Sequence, residues 1–261
     1  MITLILGDTE FPNLIIKKLK KIKKKFLIID LSKNNKFKGA KSSYRISIGK
    51  FGKIINTIKA HNSKKVLFAG KIAKPKFSSL RLDFKGVYYI PSVIKASKLG
   101  DAAIIKSIIK ILNKEGINII SSIFYNPELT LKTGNYTKLK PTLSDKRSFK
   151  EGIKYFNKLN SLDHVQALVI KEGKVIATEG KQGTKKMLSK LTKKSDGVLI
   201  KFPKKKQDLR MDLPTIGLHT LMDCKKYGLK GIVLKSKKNI FLNKSKCISF
   251  ANKNKIFISV I

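Results

Sequence analysis

The feature that most narrows the fold is an alternation, through the first half of the chain, of short apolar runs with patterns of helical period. Ile2–Leu6 reads as a strand, Leu14, Ile15, Leu19 and Ile22 share one face of a basic helix, and Phe26–Ile29 is a second strand. The unit recurs. Phe51, Ile54, Ile55 and Ile58 mark a helix and Val66–Ala69 a strand, then Ile104, Ile105, Ile108, Ile111 and Leu112 mark another helix before a strand at Ile117–Ser121. Strands separated by helices pair in parallel, in a sheet covered on both faces. The expectation is an α/β chain whose N-terminal part is a Rossmann-like parallel-sheet domain.

Between Tyr125 and Ser148 the periodicity lapses into Asn126-Pro127, Thr133-Gly134-Asn135 and Lys140-Pro141-Thr142, which have the composition of a crossover. This predicts a boundary near residue 140, with domains at 1–140 and 141–261. In the second half, Phe149, Ile153, Phe156 and Leu159 suggest a helix. Ala167–Ile170 and Val175–Thr178 flank Lys171-Glu172-Gly173-Lys174 as a hairpin. A helix around Met187, Leu188 and Leu191, a buried strand at Val198–Ile200, a helix from Thr215 to Tyr227 ended by Gly228, a strand at Gly231–Leu234, a helix near Asn243–Asn252 and a strand at Ile256–Val260 complete a second, smaller α/β domain.

The net charge of +42 invites a polyanionic partner. The bases are nearly all Lys, however, with Arg only at Arg45, Arg81, Arg147 and Arg210, and no aromatic runs offer stacking platforms, so no nucleic acid is expected. Lys, Asn and Ile share A/T-rich codons, and much of the charge reads as solvated surface. Cys224 and Cys247 show no CxxC spacing, which signals neither zinc nor a disulfide framework and fits a reducing compartment. The N-terminus meets Asp8 and Glu10 at once, unlike a signal peptide, and no apolar run approaches the roughly 20 residues needed to span a bilayer. A cytoplasmic protein in peripheral contact with a membrane face is expected.

Common catalytic motifs are missing. The first turn, Gly7-Asp8-Thr9-Glu10-Phe11-Pro12, is not G-x-G-x-x-G, and neither a P-loop nor a G-x-S-x-G elbow occurs. His61, His164 and His219 lack the H-x-x-x-H spacing of a histidine-held metal. In a parallel sheet, ligands sit beyond the carboxyl ends of strands, which brings in Gly7, Gly70 with Lys71, and Gly100 with Asp101, either as substrate contacts or as residues that shape turns.

The densest chemistry lies between Lys201 and Gly217. Pro203 and Pro214 bracket Asp208, Arg210 and Asp212, in a chain with few acids and fewer Arg. If the backbone is extended around Arg210, these three side chains project to one side. Carboxylates suit a magnesium-type ion and guanidinium grips phosphate oxygens, while the alternative is a surface loop whose acids pair with lysines.

Lys201-x-Pro203-Lys204-x-x-Gln207-Asp208-x-Arg210-x-Asp212-Leu213-Pro214-Thr215-Ile216-Gly217 resembles the C-terminal signature of the LpxI-type UDP-2,3-diacylglucosamine pyrophosphatases of lipid A synthesis. Gly49-Lys50-Phe51-Gly52-Lys53, Phe68-Ala69-Gly70-Lys71-Ile72-x-Lys74-Pro75 and Gly100-Asp101 are similar to the family's N-domain turns. Asp163-x-x-Gln166-Ala167 and Glu179-x-x-x-Gly183-Thr184-x-x-Met187-Leu188 are similar to its C-domain elements. The resemblance implies two α/β domains with ligand held between them. It also implies a hydrolase that uses magnesium, or manganese in its place, to cut UDP-2,3-diacylglucosamine to UMP and 2,3-diacylglucosamine 1-phosphate (lipid X), with water directed at the sugar-side phosphorus.

Asp212 matches the family's essential acid. Asp208 and Glu179 are the further metal candidates, and Arg210, Lys201 and Lys204 are candidates to clamp phosphoryl oxygens. Thr184, behind Gly183, offers a hydroxyl to phosphate or is a plain N-cap, and Gln166 reads a sugar or base edge or satisfies a strand end. The chain departs from the pattern at Gln182 and Lys185, where acids are usual, and at Ala102, where a second acid often follows Asp101. Candidates for an acyl-facing surface are Leu80, Leu82, Phe84, Val87, Tyr88, Tyr89 and Ile90, which equally suit a core. Two alternatives stand beside turnover: a UDP-sugar or lipid X binding protein without catalysis, and a basic nucleic-acid binder. Self-association as a homodimer is left open.

Overall fold

The computed structural model describes residues 1–159, 165–204 and 207–261. Asp163, His164 and the signature residues Lys205 and Lys206 lie outside the described residues. The chain forms two compact units, the first comprising Met1–Asn126 with Arg210–Asp212 and the second Pro127–Leu209 with Leu213–Ile261. The chain therefore leaves its second unit at Arg210 and re-enters it at Leu213.

In the first unit, β1 (Ile2–Leu6), β2 (Phe26–Asp30), β3 (Ser43–Arg45), β4 (Lys65–Ala69) and β5 (Asn118–Ile119) form a wholly parallel sheet ordered β3-β2-β1-β4-β5. Every residue of β1 is buried, as expected of a central strand covered on both faces. Helix α1 (Phe11–Lys21) carries Pro12 in its first turn, where a missing N–H costs nothing, and ends on Lys18, Lys20 and Lys21, which complement its dipole. Helix α2 (Phe51–Ala60) buries Ile54, Ile55 and Ile58 on the expected face. The Rossmann-like expectation holds, with the strand order reversing between β1 and β4.

Two further helices, α3 (Phe84–Lys98) and α4 (Asp101–Lys114), follow β4 before the chain reaches β5. The sequence reading anticipated α4 but not α3, whose periodicity is interrupted by Pro91. Gly100 joins these two helices at φ 111° instead of following a strand, so the strand-end rule that nominated Gly100 and Asp101 does not reach them.

Glu115 ties the helices together, accepting hydrogen bonds from Lys59 on α2 at 2.8 Å, from Tyr89 on α3 at 2.8 Å and from Lys85 on α3. Burial opposes ionisation of this carboxyl, but the donors outweigh it and hold it down to about 2. Burial, then the Glu115 hydrogen bond and charge, pushes Tyr89 up to about 12. A depressed folded value gives stability that is complete above the unfolded value of 4.5 and is lost as pH falls toward 2. Glu115→Gln should therefore flatten the acid-unfolding curve in that window. It should lose roughly 1–2 kcal/mol at neutral pH, a figure discounted for the solvent exposure of the lysine partners and readable by urea titration at several pH values.

In the second unit, β6 (Gly134–Asn135), β7 (Ala167–Lys171), β8 (Lys174–Thr178), β9 (Val198–Lys201), β11 (Gly231–Leu234) and β13 (Phe257–Val260) form a mixed sheet ordered β6-β13-β11-β9-β7-β8. Strands β9, β11 and β13 run parallel, whereas β6, β7 and β8 pair antiparallel with their neighbours. The pairing of Asn135 with Ser259 draws the 127–140 segment into this unit, so the units change at Asn126 and Pro127, upstream of residue 140. The expected β7–β8 hairpin turns on Glu172 and Gly173, both at positive φ as a primed turn requires.

Helix α5 (Leu143–Lys158) starts on a capping box in which Thr142 accepts from the Asp145 N–H and Asp145 accepts from the Thr142 N–H. Short α6 (Thr184–Leu188) precedes β9, and α8 (Lys244–Lys253) precedes β13. The helix expected from Thr215 begins later. Thr215–Ile216 forms β10, paired in parallel with β12 (Ile240–Phe241), and α7 spans Leu218–Lys226. Gly228 closes α7 at φ 63°, with Leu229 N–H donating to the Cys224 carbonyl and Gly228 N–H to that of Lys225. Among the described residues no helix is long and apolar enough to cross a membrane.

Candidate active site

The signature loop leaves β9 after Lys201. The Lys204 N–H donates to Gln207 Oε1 at 2.8 Å and the Gln207 N–H to the Lys204 carbonyl at 3.2 Å, a local bracket ahead of Asp208. Leu209–Met211 then form a turn, so the extended backbone that would project Asp208, Arg210 and Asp212 to one side is not what forms. The reason is anchoring. Arg210 accepts at its carbonyl a 2.8 Å hydrogen bond from the Ser122 N–H, and Met211 packs against the core of the first unit. Asp208 and Asp212 are half-buried and Arg210 is exposed. After Leu213 the chain is held again where the Pro214 carbonyl accepts from Ile240 N–H on β12.

Among the described residues, Ser122 Oγ and Gln207 Nε2 are buried polar atoms with no hydrogen-bond partner. Such atoms are costly, by about 1–3 kcal/mol each, and gather where structure serves chemistry. The sequence reading missed Ser122, although it lies just beyond the carboxyl end of β5, where the strand-end rule points.

Within the second unit, four candidates converge at the carboxyl end of β9. Lys201, only 9% exposed, donates from Nζ to Thr184 Oγ1 at 3.0 Å. Thr184 Oγ1 donates to Glu179 Oε1 at 2.6 Å, and Glu179 Oε2 accepts from the Gln166 N–H at 2.7 Å. Gln166 accepts at its carbonyl from Phe202 N–H, which fastens the end of β9 to the start of β7. The spacing of Glu179 and Thr184 did not reveal this relay, because Thr184 serves neither as an N-cap, a position held by Gly183 at φ 84°, nor as an open hydroxyl. The Lys201 charge is felt nearby. Burial pushes the Cys224 thiol up to about 12, Asp223 adds to that, and Lys201 opposes it.

At the reversal between β1 and β4, Gly7 and Gly70 shape one joint. Asp8 N–H donates to the Lys71 carbonyl at 2.8 Å and Lys71 N–H to the Asp8 carbonyl at 2.9 Å. A Cβ on Gly7 would stand 2.4 Å from the Lys71 oxygen, and one on Gly70, at φ 85°, 2.3 Å from the Asp8 oxygen. These amides are spent on each other, and the Lys71 side chain is exposed. Asp30, at the end of β2 where dinucleotide folds read a ribose, is fully buried and accepts from Ser32 N–H, Ser32 Oγ–H and Phe37 N–H. Asp101, exposed in the first turn of α4, sits where an acid complements the helix dipole.

Among the described residues no three His, Cys, Asp or Glu side chains gather closely enough to hold a metal ion by themselves. Magnesium commonly takes one or two carboxylates and completes its shell with water and substrate phosphate, so a cluster of three protein ligands is not required. Both oxygens of Glu179 are engaged as acceptors.

Comparison with known proteins agrees along the whole chain. Residues 1–129 match the LpxI N-terminal domain and residues 132–259 the LpxI C-terminal domain. The UDP-2,3-diacylglucosamine pyrophosphatase LpxI of Caulobacter vibrioides is 31% identical over 223 residues, covering 82% of this chain and 80% of that protein. With both domain models matched in order and a relative of this similarity, the chain belongs to the LpxI family.

Proposed function

We propose that this protein is a magnesium-dependent UDP-2,3-diacylglucosamine diphosphatase, adding water across the diphosphate to give UMP and 2,3-diacylglucosamine 1-phosphate. The observation that carries this reading is the similarity, over four-fifths of both chains, to a relative named for that activity. The chemistry of the side chains supports it. A diphosphate repels nucleophiles, and hydrolysis needs cations around its oxygens together with an acid to orient water. Asp212 orients the water or holds the metal, and Asp208 is a further candidate carboxylate. Magnesium, or manganese in its place, supplies charge neutralisation when bound.

Arg210, exposed on its turn, suits bidentate capture of a phosphoryl group, and Lys204 and Lys71 add flexible cations. Lys201 is a fixed cation whose ammonium is aimed by Thr184, and Thr184 in turn is aimed by Glu179. Glu179 therefore acts as a positioning residue. The diacyl substrate places the work at a membrane surface on the cytoplasmic side.

The test is release of UMP and the diacyl sugar phosphate in equal amounts from UDP-2,3-diacylglucosamine. Turnover should disappear with chelator and return with magnesium. Tight binding of the substrate with no UMP released at saturating magnesium would replace this reading by that of a binding protein, the alternative that exposed Gln182 and Lys185 favour.

A further inference from the structure

Helix α3 has one face explained and one not. Gly86, Tyr89, Ile90 and Val93 are buried in the first unit's core, whereas Phe84, Val87 and Tyr88 stand 92%, 61% and 63% exposed, followed one turn on by exposed Pro91. The spacing i, i+3, i+4, i+7 makes a single apolar stripe along the solvent side. In a chain with 58 Lys and Arg, an exposed helical position is ordinarily filled by Lys, so this stripe is the exception. Its neighbour is basic. Lys106, Lys110 and Lys114 are exposed on α4 at intervals of four, and Lys114 Nζ lies 3.1 Å from Tyr88 Oη and 5.2 Å from its ring centre.

The nearby acids do not offset that charge. Glu115 is taken by Lys59 and Lys85, and Asp83 accepts from the N–H groups of Gly52, Lys53 and Gly86. An apolar and aromatic ridge beside a row of lysines is complementary to an anionic lipid leaflet, where rings seat at headgroup depth and ammonium groups meet phosphates.

We propose that the exposed stripe Phe84–Val87–Tyr88, with the Lys106–Lys110–Lys114 row beside it, is the surface by which this protein docks on an anionic phospholipid membrane. The choice of a lipid partner rests on the diacylated substrate proposed above, but docking is read without turnover, so the two readings fail separately.

The experiment is co-sedimentation with vesicles of phosphatidylglycerol mixed equally with phosphatidylcholine, against vesicles of phosphatidylcholine alone. Wild type should prefer the anionic vesicles by about tenfold at low salt, a preference that fades as salt is raised. Combined Phe84→Gln, Val87→Gln and Tyr88→Gln, a set that keeps good helix formers, should cut partitioning by about a hundredfold, with the thermal transition confirming an intact fold. Lys106→Glu with Lys110→Glu should remove the anionic preference while leaving the apolar stripe in place. Wild-type partitioning by the triple Gln variant overturns the proposal. So does a change from dimer to monomer in that variant by sedimentation with vesicle binding unaltered, which would assign the stripe to self-association.

Discussion

Asp212→Ala should lower UMP release by on the order of a thousandfold or more, while the protein melts within a few degrees of wild type. The separation of the two effects follows from how the excursion is held. Its anchors are the Arg210 carbonyl on the Ser122 N–H, the Met211 side chain in the first unit's core, and Pro214 on β12. The Asp212 carboxylate itself is half-buried and can be truncated without leaving a core cavity. Asp212→Asn keeps the shape and removes the charge, so it should fall nearly as far if the role is to hold a cation or orient water. Steady-state UMP release at saturating magnesium, beside a circular dichroism melt, reads both quantities. Turnover near wild type in either variant would remove Asp212 from the chemistry, and a collapsed melt would make it a structural acid.

Much of the fold was legible because the parallel sheet of the first unit is built from continuous apolar runs, and such runs are hard to mistake. The hairpin at Glu172-Gly173 was legible for a different reason, a short turn that demands positive φ between two β-branched stretches. Helix α3 was not, because Pro91 interrupts its pattern and its exposed face is apolar, so that Leu80 to Ile90 reads equally well as core. The start of α7 was misplaced because Thr215-Ile216 is claimed by pairing with Ile240-Phe241, a tertiary contact that local propensity does not register.

For the candidate site, the residue types in the Lys201–Gly217 signature were plain, but their backbone was not. The turn at Leu209–Met211 is set by Ser122 and by the core around Met211, both remote in sequence. Ser122 and Asp30 escaped notice for a related reason. A serine or aspartate at a strand end carries no motif, and only the fold shows that one buries a hydroxyl with no partner among the described residues and the other spends its carboxylate on a loop.

The Lys201–Thr184–Glu179 relay supplies the second large effect, this time on stability. Glu179→Ala should destabilise the second unit by about 3 kcal/mol, the range expected when one member of a buried charged network is removed and its partners stay behind. Lys201, 9% exposed, would sit beside a hydroxyl that has lost its acceptor, and the Gln166 N–H would lose its carboxylate partner at the junction of β7 and β9. Thr184→Val retains the carboxylate and breaks only the two hydroxyl bonds, for a smaller loss of about 1–2 kcal/mol. The double variant should fall short of the sum, because both changes cut the same chain of contacts. Urea unfolding followed by circular dichroism, in chelator and again in saturating magnesium, separates the roles of Glu179. A positioning carboxylate makes the Glu179→Ala loss equal in the two conditions. A carboxylate that holds the metal lets magnesium stabilise the wild type and not the variant, so a gap that widens with magnesium would make Glu179 a metal ligand.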